Sequence, residues 1–456
     1  MTPTELLPAP PPHAAARRAL LAGSAGNLVE WYEFGVYGCF ATVIAANFFT
    51  PHPGTPGGAE ALVATYASFA LAFFFRPVGA LLFGRIGDRF GRRPALVLVI
   101  GLMTLATTLI GLLPTRADIG AAAPWLLTFL RVLQGLSAGG EFGGAVSLMV
   151  ECAPPGRRGL YGAWQSFTVA LGLLAGAGTA AALAAVLPAE ALYAWGWRIP
   201  FLLALPLGTV ALWLRTALEE PPGGPVGGPP GRPAAADPTE AVDATDASGP
   251  TGPTGPAGPG EQARAVVLGI GRIMGWSAAG YAFLVVLPSH LQSALGASFR
   301  DALLATALVN LGFAASILPA GLLSDRVGRR PVMLGGALGI AVLAHPLLHL
   351  LQSPGASPQT RAAAVLTAGV LVGLLAGPGP AMLAEMFPRR VRCTGLGLSY
   401  ALANAVFSGC AGLFITALTA RTADTAIPAH YAAGACALSA VALLTLRGND
   451  HREPLR

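Results

Sequence analysis

The chain has 456 residues, 54% of them hydrophobic and only 11% charged, with a mean hydropathy of +0.61. Soluble domains carry about 25% charged residues, so a soluble two- or three-domain protein is excluded and most of the surface must face lipid. All 28 basic residues are arginine and most sit in short clusters between apolar segments, so the net charge of +6 points to membrane topology and not to a nucleic-acid partner.

Residues 1–16 are rich in Pro and Ala and read as a disordered tail. The first apolar segment contains Glu30 and Glu33, which a cleavable signal core would not tolerate. A spanning helix needs roughly 20 mostly apolar residues. Such runs occur at 20–48, 60–84, 93–113, 124–150, 160–187, 196–217, 264–291, 301–323, 331–351, 362–386, 394–420 and 428–446. Between the sixth and seventh runs, residues 219–262 consist mainly of Pro, Gly, Ala and Asp, a composition that cannot bury enough surface to fold. The Gly-x-y period at 249–260 is too short for collagen and reads as a flexible tether. The expected organisation is all-α and integral to the membrane, with twelve transmembrane helices in two pseudo-symmetric six-helix bundles. These cover 17–218 and 263–447, joined by the linker 219–262 and followed by a short tail, 448–456.

Arginine placement sets the orientation. The loops after helices 2, 4, 8 and 10 hold Arg85, Arg89, Arg92, Arg93, Arg157, Arg158, Arg326, Arg329, Arg330, Arg389, Arg390 and Arg392, whereas the opposite loops hold Arg116, Arg300, Arg361 and Arg421. Both termini and the linker are therefore expected in the cytoplasm, with Trp125, Trp195 and Trp197 at the outer interface. The five cysteines have no metal-ligand spacing and the seven histidines form no metal set, so no metal and no cofactor is expected. No phosphate-binding loop is present, which argues against ATP-driven pumping and against an enzyme.

The most specific signal is a duplication. Residues 84–94 read GRIGDRFGRRP and residues 321–331 read GLLSDRVGRRP, 237 positions apart. Glu151 followed by Arg157, Arg158 and Gly159 is matched by Glu385 followed by Arg389, Arg390 and Arg392, at an offset of 234. The positive-inside rule explains the arginines but not the whole repeated pattern. Within it, Asp88 and Asp325 can accept hydrogen bonds from orphan amides at a helix start or pair with arginine. Gly91 and Gly328 permit a tight turn. Gly84, Asp88, Arg89, Gly91, Arg92, Asp325, Arg326, Gly328 and Arg329 thus form a candidate conformational latch at the inner face.

This repeated loop resembles the signature of the major facilitator superfamily. A narrower resemblance, to its metabolite:proton symporter family, rests on GNLVEWYEFGVYG (26–38), FFFRPVGALLFGRIGDRFGRR (73–93), RVLQGLSAGGEFGGA (131–145), WGWRIPF (195–201) and AEMFPRRVRCTG (384–395). That family includes permeases for α-ketoglutarate, citrate, shikimate and proline/betaine. Three departures stand out. Glu33 occupies a position where the family usually has Asp. Helix 11 reads SGCAG at 408–412, without the family's proline. The chain stops soon after helix 12, unlike osmolyte permeases with a C-terminal coiled coil.

Charges at bilayer depth cost at least about 2.5–3.5 kcal/mol and are functional candidates by default. Glu30, Glu33 and Glu141 are the candidates for proton coupling; Glu30 and Glu33 share one helix face. Arg76 and Arg131 are the candidates for holding a substrate carboxylate, which a guanidinium fork matches bidentately. The alternative is that these arginines only pair with the buried glutamates. For Arg272, near the inner end of helix 7, pairing with one of these glutamates without meeting substrate is the expectation. Asn27, Tyr32, Tyr37, Gln134, Trp164, Gln165, Tyr281 and Asn404 are polar or aromatic residues inside helices that could complete a pocket, although each could equally be a helix-packing contact.

The expected function is secondary active transport: proton-coupled uptake of a small carboxylate or zwitterionic metabolite by alternating access. The proton is the coupling ion, and the site lies between the halves near the midplane. An uncoupled facilitator or exporter of the same fold, or a transporter-like sensor, are the competing readings. The expected setting is the plasma (inner) membrane, as a monomer whose partners are the bilayer and a small-molecule substrate.

Overall fold

The computed structural model describes residues 13–50, 58–90, 92–139, 141–151, 153–216, 259–353, 355–388 and 391–446. These residues are helical or in short connections, with no strand among them. In the first half, α1 is His13–Cys39, continued by Ala41–Ile44 and a π-helical turn Ala45–Phe49; α2 is Ala59–Phe90; α3 is Arg92–Leu112. Next, α4 comprises Ala122–Ala138 and Glu141–Glu151, α5 is Arg158–Val186, and α6 is the pair Ala189–Gly196 and Arg198–Leu214, bent by 49°. In the second half, α7 runs over Gly260–Ser293 with a π-helical turn at Tyr281–Val286, α8 is Phe299–Val327 and α9 is Arg329–Gln352. Finally, α10 is Pro358–Met386, α11 is Arg392–Thr422 with a π-helical turn at Asn404–Gly409, and α12 is Ile427–Leu444.

Among the described residues nine helices are long and apolar enough to cross a membrane, and the bent pair α6 makes ten. The other two of the expected twelve are α1, which carries Glu30 and Glu33, and α4, which is interrupted after Ala138. The sequence boundaries shift in several places. α1 begins at His13, inside the segment read as a tail, and α7 begins by Gly260, inside the end of the segment read as a linker. The rest of tail and linker lies outside the described residues. α2 and α8 continue through Phe90 and Val327, so the repeated motif is mostly the last helical turn and not a loop. Gly328 supplies the turn itself, at φ +97°, a conformation that a side chain would strain. Helix 11 leaves α geometry without a proline, through its π-helical turn.

The duplication is visible in packing. In the first half α2 and α4 touch backbone to backbone: Gly135 lies against the Ala72 carbonyl and Gly139 against that of Arg76. In the second half Gly369 lies against the Val309 carbonyl and Gly373 against that of Phe313. Each pair of glycines is separated by the offset of 234, and each pair of carbonyls by that of 237. Absent side chains let α2 and α4, and likewise α8 and α10, cross at the closest distance.

The halves meet at both ends. At the arginine-rich end, Arg392 pairs with Glu151 at 2.5 Å and Arg158 with Glu385 at 3.9 Å. These are one contact repeated by the pseudo-symmetry, each glutamate reaching the arginine of the other half. Asp325 accepts the Gly159 and Leu160 amides at the start of α5, at 2.7 and 2.9 Å, and Arg329 bridges Asp325 and Glu385 at 2.7 and 2.9 Å. Asp325, Gly328 and Arg329, three residues of the candidate latch, are thus brought together at this end. Arg326 and Arg89 are exposed, and the side chains of Gly84, Asp88, Gly91 and Arg92 lie outside the described residues. At the opposite end, Tyr66 bonds Ser289 at 2.7 Å and Thr42 donates to Gln292 at 3.0 Å. Trp125 and Trp195 are exposed as an interfacial belt requires, but Trp197 is fully buried, edge-on to Phe48 and Phe201. Its position one residue before the α6 helix turns it into the bundle, where Arg198 caps the end of α3 through the Gly111 and Leu113 carbonyls.

Two outcomes follow. Gly135→Val drives a methyl into the Ala72 carbonyl and should cost about 3 kcal/mol or more, seen as loss of the monodisperse peak in detergent. Gly101→Ala, which meets open space, should behave as wild type. Asp325→Asn removes hydrogen bonds to a charged acceptor worth roughly 1.5–3 kcal/mol. Maleimide labelling of Tyr400→Cys in a cysteine-free background should then accelerate by about tenfold or more.

Candidate functional site

The centre of the bundle holds two arginines that lipid could not solvate. Arg76, on α2, is 4% exposed, and Arg131, on α4, is 1% exposed. The glycine contacts between α2 and α4 place them side by side, and aromatic faces replace their water. The Arg76 guanidinium lies 4.1 Å from the Phe73 ring centroid and 4.7 Å from that of Phe34; Arg131 lies 3.6 Å from Tyr37 and 4.8 Å from Phe69. Desolvated cation–π contacts of this kind contribute about 2 kcal/mol each. They hold the cations without neutralising them.

Neutralisation comes from α1. Glu30 pairs with Arg76 at 3.3 Å. Glu33 is 1% exposed and reaches Arg131 through two intermediaries. The Thr107 hydroxyl, from α3, donates to Glu33 Oε2 at 2.5 Å; Gln134 Nε2 donates to Thr107 Oγ1 at 2.5 Å; Arg131 Nη1 donates to Gln134 Oε1 at 2.7 Å. Glu33 Oε1, Arg131 Nε and Nη2, and Arg76 Nε have no hydrogen-bond partner among the described residues. Unmatched polar atoms this deep are costly, and here an acceptor and several donors remain open in one cluster.

Next to this cluster is a cavity of about 30 Å³ between the halves, lined by Trp31, Leu173, Trp276, Tyr281, Tyr400 and Asn404 among others. It would hold water but no metabolite. The Tyr281 hydroxyl, 4% exposed as a residue, has no hydrogen-bond partner among the described residues. Trp31 stands 6.2 Å from Tyr281, and Tyr400 stacks on Phe142 at 3.4 Å. Polar contacts join the halves at both ends of the molecule.

The other sequence candidates divide cleanly. Tyr37 and Gln134 belong to the charge cluster, and Tyr281 and Asn404 to the cavity. Asn27 donates to Thr168 at 2.6 Å, Tyr32 to the Pro200 carbonyl at 2.9 Å, and Trp164 to Ser24 at 2.9 Å; these tie α1 to α5 and α6. Gln165 lies in that same seam, where its carbonyl accepts from Asn27. Arg272 donates to Thr445 at 2.9 Å. The Glu141 side chain lies outside the described residues. Sequence reasoning missed Thr107 and the phenylalanines. The signals were present: Phe69 and Phe73 precede Arg76 at helical spacing, and Thr104, Thr107 and Thr108 interrupt an otherwise apolar run.

Comparison with known proteins agrees with this architecture. Residues 19–223 match the family described as sugar (and other) transporter, and residues 265–456 match the Major Facilitator Superfamily. The chain is 32% identical over 440 residues to the proline/betaine transporter of Escherichia coli strain K12, covering 96% of this chain and 85% of that one. It is 34% identical over 442 residues to the citrate-proton symporter of Klebsiella pneumoniae, covering 94% of each. The expectation that the chain stands apart from the osmolyte permeases does not hold in identity. Among solved structures, a partially occluded inward-open form of the xylose transporter XylE from E. coli superposes with a TM-score of 0.69 at 17% identity, covering 94% of this chain and 97% of that one. Relatives and fold are those of transporters and not of enzymes. The chain belongs to the major facilitator superfamily and, within it, to the family of the proline/betaine and citrate–proton transporters.

Proposed function

We propose that the protein is a proton-coupled symporter that takes up a small carboxylate or zwitterionic metabolite across the inner membrane, with both termini cytoplasmic. The observation that carries this reading is the open valence of the charge cluster: donors of Arg131 and an acceptor oxygen of Glu33 are buried together without hydrogen-bond partners among the described residues. Arg131 binds the substrate carboxylate and Glu33 carries the proton. Tyr281 and Asn404 supply polar contacts from the second half, and the aromatic walls take the apolar body of the solute.

Charge counting links the two cargoes. With Glu33 ionised, Arg76, Arg131, Glu30 and Glu33 sum to zero. With Glu33 protonated they sum to +1, and a substrate carboxylate restores neutrality. A buried excess charge is expensive, so proton and carboxylate favour each other's binding, and the loaded carrier changes face. The relatives named for proton symport of citrate and for transport of proline and betaine support this range of substrates. Uncoupled facilitation would leave the protonatable cluster without a task.

The test is uptake by proteoliposomes of labelled citrate, α-ketoglutarate, proline and glycine betaine under an imposed pH gradient, acid outside. Accumulation of at least one is expected, with alkalinisation outside. Glu33→Gln should abolish accumulation while leaving exchange of internal for external substrate. Accumulation by that variant, or influx without proton movement in the wild type, would refute the assignment.

A further inference from the structure

The hydrogen-bond chain from Glu33 to Arg131 contains a residue that nothing so far has given a role. Thr107 Oγ1 has three polar neighbours: Glu33 Oε2, Gln134 Nε2 and the Met103 carbonyl, the last at 3.0 Å. The hydroxyl has one proton and two lone pairs. Gln134 occupies one lone pair. The proton has two acceptors to choose from, the Glu33 carboxylate or its own helix backbone at Met103.

We propose that Thr107 is the coupling residue that passes the protonation state of Glu33 to the Gln134–Arg131 pair. This rests on Glu33 as the proton site. When Glu33 is ionised, Thr107 donates to the carboxylate. Donation to an anion makes the hydroxyl oxygen a stronger acceptor, so the Gln134 amide is held fast and its carbonyl in turn holds Arg131 Nη1. When a proton from the aqueous phase is taken up on Glu33, the carboxylic acid becomes the donor to Thr107. The Thr107 hydroxyl then turns to the Met103 carbonyl, so the Glu33–Thr107 bond reverses while Gln134 Nε2 and Arg131, which can only donate, keep their direction. The grip on Gln134 weakens and Arg131 is released toward a substrate carboxylate.

The surroundings leave this route as the bonded one. The charged and titratable groups around Glu33 are Glu30 and Tyr32 on its own helix and Arg131 from α4, with Tyr37, Arg76 and Tyr281 next to them around Arg131. Arg76 is engaged by Glu30, and Tyr37 bonds Ser68 at 2.8 Å. Thr107 is 1% exposed, so water does not compete for its hydroxyl.

The proposal is tested without substrate, by infrared difference spectroscopy of the reconstituted protein between acid and alkaline pH. The protonated carboxyl of Glu33 gives a carbonyl-stretch band that Glu33→Gln should delete. Thr107→Val, close in shape but lacking the hydroxyl, should shift that band, and Thr107→Ser should restore its position. In the wild-type background Gln134→Leu should also shift the band, and in the Thr107→Val background it should not, because the chain is already cut. An unshifted band in Thr107→Val, or equal effects of Gln134→Leu in both backgrounds, would overturn the role of Thr107 while leaving Glu33 as the proton site. A band that survives Glu33→Gln would instead remove the proton from Glu33, and the function proposed above would fail with it.

Discussion

An arginine in the middle of an apolar bundle has to be solvated by the protein itself, and much of the first half is arranged around that requirement. Arg131 cannot be neutralised in practice and is 1% exposed. The Tyr37 and Phe69 rings provide its faces, Gln134 provides one acceptor, and the Glu33 carboxyl sits three hydrogen bonds away, through Gln134 and Thr107. Direct pairing of Arg131 with Glu33 would be a closed ion pair with little reason to open. Separation by two neutral side chains keeps the charges balanced but available.

The second half is built on the same plan with different contents. Its α8–α10 crossing repeats the glycine contacts of α2–α4, and the ion pairs Glu151–Arg392 and Glu385–Arg158 are mirror images at one end. Yet the residues that correspond to Arg76 and Arg131, at the offsets of 237 and 234, are Phe313 and Val365. Duplication preserved the backbone crossing and the inter-half clamps, and the charge chemistry stayed with one copy. The second copy contributes Tyr281, Asn404 and their π-helical turns, where the helix loses its regular register beside the cavity.

Helix count, duplication and the division into halves were legible in the sequence because lipid imposes a length and an apolar composition on every span. The latch was legible because the motif occurs twice at fixed offsets. The site was legible only in part. Glu30, Glu33, Arg76 and Arg131 are conspicuous as charges in apolar runs, but their partners are not. Thr107 and Phe69 look like ordinary membrane-helix residues, and only the crossing of α2, α3 and α4 around α1 gives them a task. Asn27, Tyr32 and Trp164, each read singly as nearer to a helix-packing contact than to a ligand, tie α1 to α5 and α6. Trp197 misled, since a bend of 49° at the start of α6 turns an apparent interfacial residue into the core.

The charge inventory of the first half has an electrical consequence. Arg76, Arg131 and Glu30 never leave the protein, so on the proposed reading the net charge of the loaded cluster is set by the cargo alone. A monocarboxylate carried with one proton makes the loaded cluster neutral, and the membrane voltage then does no work on it. A zwitterion carried with one proton leaves it at +1, worth about 2.3 kcal/mol for every 100 mV crossed. The same four side chains would therefore draw on the pH gradient alone for one class of solute and on the full electrochemical gradient for the other.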